Sequence, residues 1–129
     1  MKIEHCALFV SDLEKAKDFF IKYFNAKANN CYKNPKTQFS SYFLSFESGS
    51  RLEIMQKPNV SSNSTQKQGE ILGYSHIAFS LGSKKAVDAL TIQLKNDGFN
   101  VFSMPRTTGD GYYESCIIDF DGNKIELCE

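Results

Sequence analysis

The sequence predicts an α+β fold built from two copies of a βαβββ module, and three observations carry that prediction. The order of features in the first half returns in the second. Within each half the apolar pattern switches from a strand period to a helix period and back. Between the halves lies "KPNVSSNSTQKQGE", residues 57–70, a polar run rich in Ser, Asn and Gln that reads as a linker. Module 1 is therefore expected at about 1–56 and module 2 at about 71–129, in a single domain.

The repeat is visible when the halves are laid over each other. "EHCALFV" from residue 4 lies over "SHIAFSL" from residue 75, pairing His5 with His76 and Ala7 with Ala78. "KAKDFF" lies over "KAVDAL", and "YFLSFESGSRLEI" over "SCIIDFDGNKIEL", which pairs Gly49 with Gly122 and Glu53 with Glu126. Each half opens with a histidine in a strand and closes with a glutamate in a strand, four residues after a turn glycine.

The elements follow in order. Residues 2–10 alternate as a strand, with Cys6, Leu8 and Val10 on one side and Ile3, His5, Ala7 and Phe9 on the other. "SDLE" reads as a capping box with Ser11 as N-cap and Glu14 three residues on. The helix it opens runs to about Asn25, with Leu13, Ala16, Phe20, Tyr23 and Phe24 on one stripe. A short strand is expected near Asn30–Lys33, a turn at Asn34-Pro35, a strong strand near Phe39–Phe46, and the strand of Glu53 after "ESGS". In the second half Ile77, Phe79 and Leu81 alternate, Ser83 caps a helix bearing Val87, Leu90 and Leu94, and Gly98 closes it. Strands near Asn100–Met104, Glu114–Asp119 and Lys124–Cys128 complete the plan.

Composition narrows the function. The 15 basic and 15 acidic residues balance, which gives neither nucleic acid nor an anionic membrane a reason to bind. No apolar run is long enough to cross a bilayer. The opening "MKIEHCALFVSDLEKAK" turns charged too early for a secretion signal, so the expected compartment is the cytoplasm. Cys6, Cys31, Cys116 and Cys128 show no metal-site spacing and are expected as reduced thiols, with Cys116 and Cys128 behaving as small apolar groups.

Alternation places His5, Glu53, His76 and Glu126 on the sheet faces opposite the helices. Singly, a strand histidine is usually a hydrogen-bonded structural group, and a strand glutamate is usually exposed at an edge. Here the chain's two histidines sit at matching positions, each followed by a matching glutamate. Together they make a mixed N/O donor set suited to a divalent ion: Ni, Co, Zn, Mn or Fe. Four protein ligands in an octahedral shell leave positions open for substrate.

These residues resemble the vicinal oxygen chelate superfamily, which includes glyoxalase I, fosfomycin-resistance thiol transferases, extradiol dioxygenases and bleomycin-binding proteins. The resemblance runs from "IEHCALFVSDLEKAKDFF" through "YSHIAFSL" to "DFDGNKIELCE". It implies paired βαβββ modules forming a U-shaped mixed sheet around a metal cleft. It also implies His5, Glu53, His76 and Glu126 as the metal ligands, with Glu53 and Glu126 as the catalytic carboxylates. The activity implied is that of a metal-dependent, glyoxalase I-like (lactoylglutathione lyase-type) lyase or isomerase, working through a metal-stabilised enediolate on a small oxygenated or thiol-conjugated substrate. A homodimer is implied as well, with each site shared across the interface.

Two positions depart from the glutathione-binding pattern of bacterial glyoxalase I: Phe9 stands where an arginine is common, and Lys57 where an asparagine is expected. Other classes stay open. A non-catalytic antibiotic-binding protein generally lacks the metal ligands; an Fe(II) dioxygenase wants two histidines and one carboxylate; a thiol transferase usually offers three ligands. "PRTTGDGYYES", residues 105–115, reads either as a hairpin connection or as a lid in which Arg106 meets an anionic group and Tyr112 or Tyr113 covers the ligand. Phe9, Arg106, Tyr112 and Tyr113 are thus the candidate substrate-binding residues. Phe39, Tyr42 and Phe43 could line an apolar pocket, but core packing explains most of them.

Overall fold

A computed structural model describes residues 3–61 and 73–129 of the chain. Two compact units divide at residue 64, and each is a helix packed on one mixed sheet. The greater part of the expected linker, 62–70, and the expected start of module 2 at residue 71 lie outside the described residues.

In the first unit the elements are β1 (His5–Phe9), α1 (Leu13–Phe24), β2 (Lys27–Ala28), β3 (Tyr32–Asn34), β4 (Phe39–Ser45) and β5 (Arg51–Gln56). The sheet order is β1-β5-β4-β2, with β3 also on β4; β1 runs parallel to β5, and the other pairs are antiparallel. In the second unit they are β6 (His76–Ser80), α2 (Lys84–Asn96), β7 (Asn100–Thr107), β8 (Tyr113–Ile118) and β9 (Lys124–Cys128). The order there is β6-β9-β8-β7, again with the first strand parallel to the last. The expected α+β fold of two βαβββ modules is borne out, each an open sheet.

The repeat holds to the residue. Glu53 lies between Ala7 and Phe43, and Glu126 between Ala78 and Cys116, at equivalent points of the two ladders. The same turn sets both registers. Gly49 N–H donates to Phe46 O (3.1 Å) and Gly122 N–H to Asp119 O (3.2 Å), at φ of 81° and 88°. That positive φ is why a glycine stands four residues before each glutamate.

Each helix covers one face of its own sheet. α1 buries Leu13, Ala16, Phe19, Phe20 and Phe24, and its sheet buries Tyr42, Leu44, Leu52 and Ile54. α2 buries Val87, Thr91 and Leu94 in a unit whose sheet buries Ser115, Ile117, Ile125 and Leu127. Thr91 is a polar group in that core: its hydroxyl donates to Val87 O and lies 2.6 Å from Ser115 Oγ, so both hydroxyls are satisfied. Both helices close with a left-handed residue and a hydrogen bond back to the last turn, Ala26 N–H to Phe20 O after Asn25, and Phe99 N–H to Leu94 O after Gly98.

Two local expectations need correction. The N-cap of α1 is Asp12 rather than Ser11: Asp12 Oδ1 accepts from Lys15 N–H (3.0 Å). The β1 ladder continues to Val10 N–H on Met55 O, and Ser11 O accepts from Gln56 Nε2, so the backbone turns one residue later than the motif suggested. Glu14 binds Lys17 and the Tyr42 hydroxyl. The second correction concerns the short strand near Asn30–Lys33. It is two pieces, β2 and β3, both on the edge of β4, and Asn29 bridges the gap with its N–H on Phe43 O and its Oδ1 accepting from Phe43 N–H.

Among the described residues no helix is long and apolar enough to cross a membrane.

Candidate metal centre

The uncovered face of each sheet carries the expected pair. In the first unit β1 presents His5, Ala7 and Phe9 on the side opposite α1, and β5 presents Arg51, Glu53 and Met55 beside them in parallel register. His5 Nε2 lies 3.9 Å from Glu53 Oε2. In the second unit His76 Nε2 lies 3.1 Å from Glu126 Oε2. The imidazoles are the more exposed partners, at 38% each, while the Glu53 and Glu126 side chains are at 16% and 21%. Carboxylates so far withdrawn from water favour a cationic partner.

Two donors held at right angles about 2.1 Å from one ion stand about 3 Å apart. His76 and Glu126 meet that spacing as they stand; His5 and Glu53 need a side-chain movement of under about 1 Å. The donor chemistry, imidazole nitrogen with carboxylate oxygen, fits a first-row divalent ion. Among the described residues no group of three or more His, Cys, Asp or Glu side chains is placed to hold a metal ion, and each unit supplies a His–Glu pair.

The surroundings of the two histidines differ. His5 Nδ1 lies 2.5 Å from Glu4 Oε2, and Glu4 is itself bonded to Arg51 Nη2. The Glu4 carboxyl is held below its ordinary value first by His5 and then by Arg51. Arg51 also lies 4.3 Å from the centre of the Phe43 ring, against which His5 packs edge-on at 5.2 Å. Of the two roles the sequence leaves to Phe43, core or pocket lining, its register opposite Glu53 puts it on the site face. In the second unit Ser75 Oγ lies 3.3 Å from His76 Nδ1, and Lys124, register partner of His76, lies over Phe102 at 4.4 Å.

The other candidates are scattered. Phe9 shares the His5 and Glu53 face, partly exposed, with Lys57 Nζ 5.3 Å from its ring centre. The two departures noted in the sequence are therefore in contact. Arg106 stands opposite Glu114 (3.8 Å) on the Glu126 side of the second sheet, its Nε donating to Ser103 Oγ. Tyr112 is exposed in a hairpin turn pinned by Thr108, whose hydroxyl accepts from Tyr112 N–H. Tyr113 is not brought to the pair: it alternates with Ser115 and Ile117 toward α2, and its hydroxyl donates to Asp88 (2.7 Å). The same alternation that placed Glu126 would have revealed this.

All four cysteines are free. Cys116 faces Glu126 across the ladder, and its thiol is pushed up to about 11, mainly by burial and then by the Glu126 charge, so it stays protonated and unreactive.

Comparison with known proteins follows the same lines. The family model of the Glyoxalase/Bleomycin resistance protein/Dioxygenase superfamily matches residues 2–127. Among solved structures, the chain is similar to SMU.1112c (25% identity, TM-score 0.80, covering 100% of this chain and 98% of that one). It is also similar to the trypanothione-dependent glyoxalase I of Leishmania major (20% identity, TM-score 0.76, 100% and 86% covered). A third similar structure is the fosfomycin resistance protein FosX of Listeria monocytogenes (24% identity, TM-score 0.75, 98% and 91% covered). No curated protein sequence matches the chain.

Proposed function

This chain belongs to the Glyoxalase/Bleomycin resistance protein/Dioxygenase superfamily, and from that premise we propose that it is a metal-dependent lyase or isomerase of the glyoxalase I type, acting on a small oxygenated or thiol-conjugated substrate. One observation carries the reading. Each βαβββ unit holds a histidine and a glutamate within 3.9 Å or less, at equivalent positions on its uncovered face. A buried core histidine would not need a carboxylate partner in both copies, and a binding protein without metal would not need either pair.

His5, Glu53, His76 and Glu126 would hold the ion. When bound, a divalent ion supplies Lewis acidity, stabilising negative charge on neighbouring substrate oxygens. The chain's own part is proton transfer. The Glu53 or Glu126 carboxylate takes the proton from the hydroxyl-bearing carbon of a 2-oxo adduct and returns it to the adjoining carbon, an isomerisation that needs neither oxidant nor reductant. The half-buried setting of both glutamates keeps bulk water from competing for that proton. The proposed four-ligand site would draw His5 and Glu53 from one chain and His76 and Glu126 from a second, in a homodimer.

The test is metal content by mass spectrometry after stripping and reloading with Ni, Co, Zn, Mn or Fe(II). About one ion per chain is expected from four-ligand sites, lost in the Glu53→Gln/Glu126→Gln double variant. Loading that survives the double variant would refute the ligand assignment. Equal folding of parent and variant by circular dichroism keeps the comparison clean.

A further inference from the structure

Glu4 is a carboxylate beside the first His–Glu pair that the ligand set does not include, and its Oε2 lies 2.5 Å from His5 Nδ1. We propose that Glu4, fixed by Arg51, is a positioning residue that holds the His5 ring in one orientation and one tautomer, with Nδ1–H donating to Glu4 and the Nε2 lone pair presented toward Glu53. The inference deepens the metal-dependent reading above and rests on it for the ion.

Three contacts converge on the ring. Glu4 Oε2 lies 2.5 Å from Nδ1, the nitrogen remote from Glu53. Phe43 stands edge-on to the ring at 5.2 Å, blocking its rotation on that side. Arg51 ties the arrangement together: its guanidinium binds the other Glu4 oxygen, Oε1, and lies over Phe43 at 4.3 Å. Arg51 is also the register partner of His5, so the sheet itself keeps these groups in place. A carboxylate on the far nitrogen of a histidine ligand fixes its tautomer and raises its basicity, and losing such a partner typically weakens metal binding by about 10–100-fold.

The second unit lacks the device. Ser75 occupies the position of Glu4, at the longer 3.3 Å and without charge. Cys116 stands where Phe43 does, and Lys124, the counterpart of Arg51, turns to Phe102 instead. The two imidazoles are therefore unequal: His5 is the preset donor, and His76 is held mainly by Glu126 at 3.1 Å.

The experiment uses the full chain labelled with ¹⁵N-histidine, in which the only two imidazoles report separately. In the metal-free parent, at a pH where both rings are neutral, His5 should give the Nδ1–H pattern. In Glu4→Ala that pattern should be lost, with the His76 signals unmoved. In parallel, Co(II) affinity measured by chelator competition should fall about 10–100-fold in Glu4→Ala. It should fall less in Glu4→Gln, whose amide oxygen still accepts, and less again in Ser75→Ala. An Nε2–H pattern in the parent, or a His5 pattern unchanged in Glu4→Ala, would overturn the proposal. If the parent shows the Nδ1–H pattern but binds no Co(II), the positioning stands and the metal-dependent reading falls.

Discussion

Asp119 shows how much one side chain can do for a site it does not touch. Its carboxylate accepts from Asp121 N–H (2.9 Å), Asn123 N–H (2.8 Å) and Asn123 Nδ2 (2.9 Å), closing the "DFDGN" turn that leads into β9. Burial pushes its carboxyl above the ordinary value, and these donors pull against that rise. The closing phrase that looks like a functional signature in the sequence is, at this residue, a device for setting the register of Glu126. Asp119→Ala should cost about 2–3 kcal/mol in urea unfolding, since buried donors lose a charged acceptor; Asp119→Asn should lose less. Parent-like stability in Asp119→Ala would mean that the turn is set by Gly122 alone. The equivalent turn in the first unit has Phe46 at this position, so the two copies reach one geometry by different side chains.

At the scale of elements, the helices are anchored to their sheets by polar contacts as well as by apolar burial. Glu14 on α1 accepts from Lys17 and from the Tyr42 hydroxyl of β4 (2.7 Å). Its carboxyl is lowered from the ordinary 4.5, first by Lys17 and then by Tyr42, and the Tyr42 hydroxyl is pushed up to about 12 chiefly by Glu14. The sign follows. A carboxyl lowered on folding contributes stability that is fully present above pH 4.5 and is lost as the pH falls through its folded-state value. Glu14→Gln should therefore flatten the decline of stability below pH 4.5 while changing its slope little at neutral pH, as followed by urea unfolding across that range. An unchanged acid limb would remove Glu14 from the account. The motif that suggested a capping box placed the helix start one residue early, and its glutamate meets a tyrosine on the sheet. A glutamate three residues after a serine is equally suited to reaching a tyrosine on the sheet, and only the packed structure shows which contact forms.

For the whole molecule the proposed four-ligand centre makes a prediction about assembly. A centre shared across a two-fold dimer would take His5 and Glu53 from one chain and His76 and Glu126 from the other, and complementary variants would then rescue each other. Mixing Glu53→Gln with Glu126→Gln after joint unfolding and refolding should restore metal binding to about one quarter of sites: random pairing makes half the dimers mixed, and each mixed dimer has one intact site. No recovery would place both half-sites in the same chain. The positioning of His5 by Glu4 is local to the first unit and is expected to be the same in either arrangement.

The sequence by itself determined the repeat, the element order of each module, and the sheet face on which His5, Glu53, His76 and Glu126 stand. It could do so because strand alternation has a strict period of two, and because a glycine of positive φ at a fixed distance before each glutamate locks the register. Only the tertiary structure decided the rest. It moved the helix cap to Asp12, split the edge strand at Asn29, and gathered Glu4, Arg51 and Phe43 around His5. Arg51 lies 47 positions along the chain from Glu4, and no local pattern encodes such a contact. It exists because β1 and β5 run side by side in one particular register, which brings a guanidinium, a carboxylate and an imidazole within hydrogen-bonding reach.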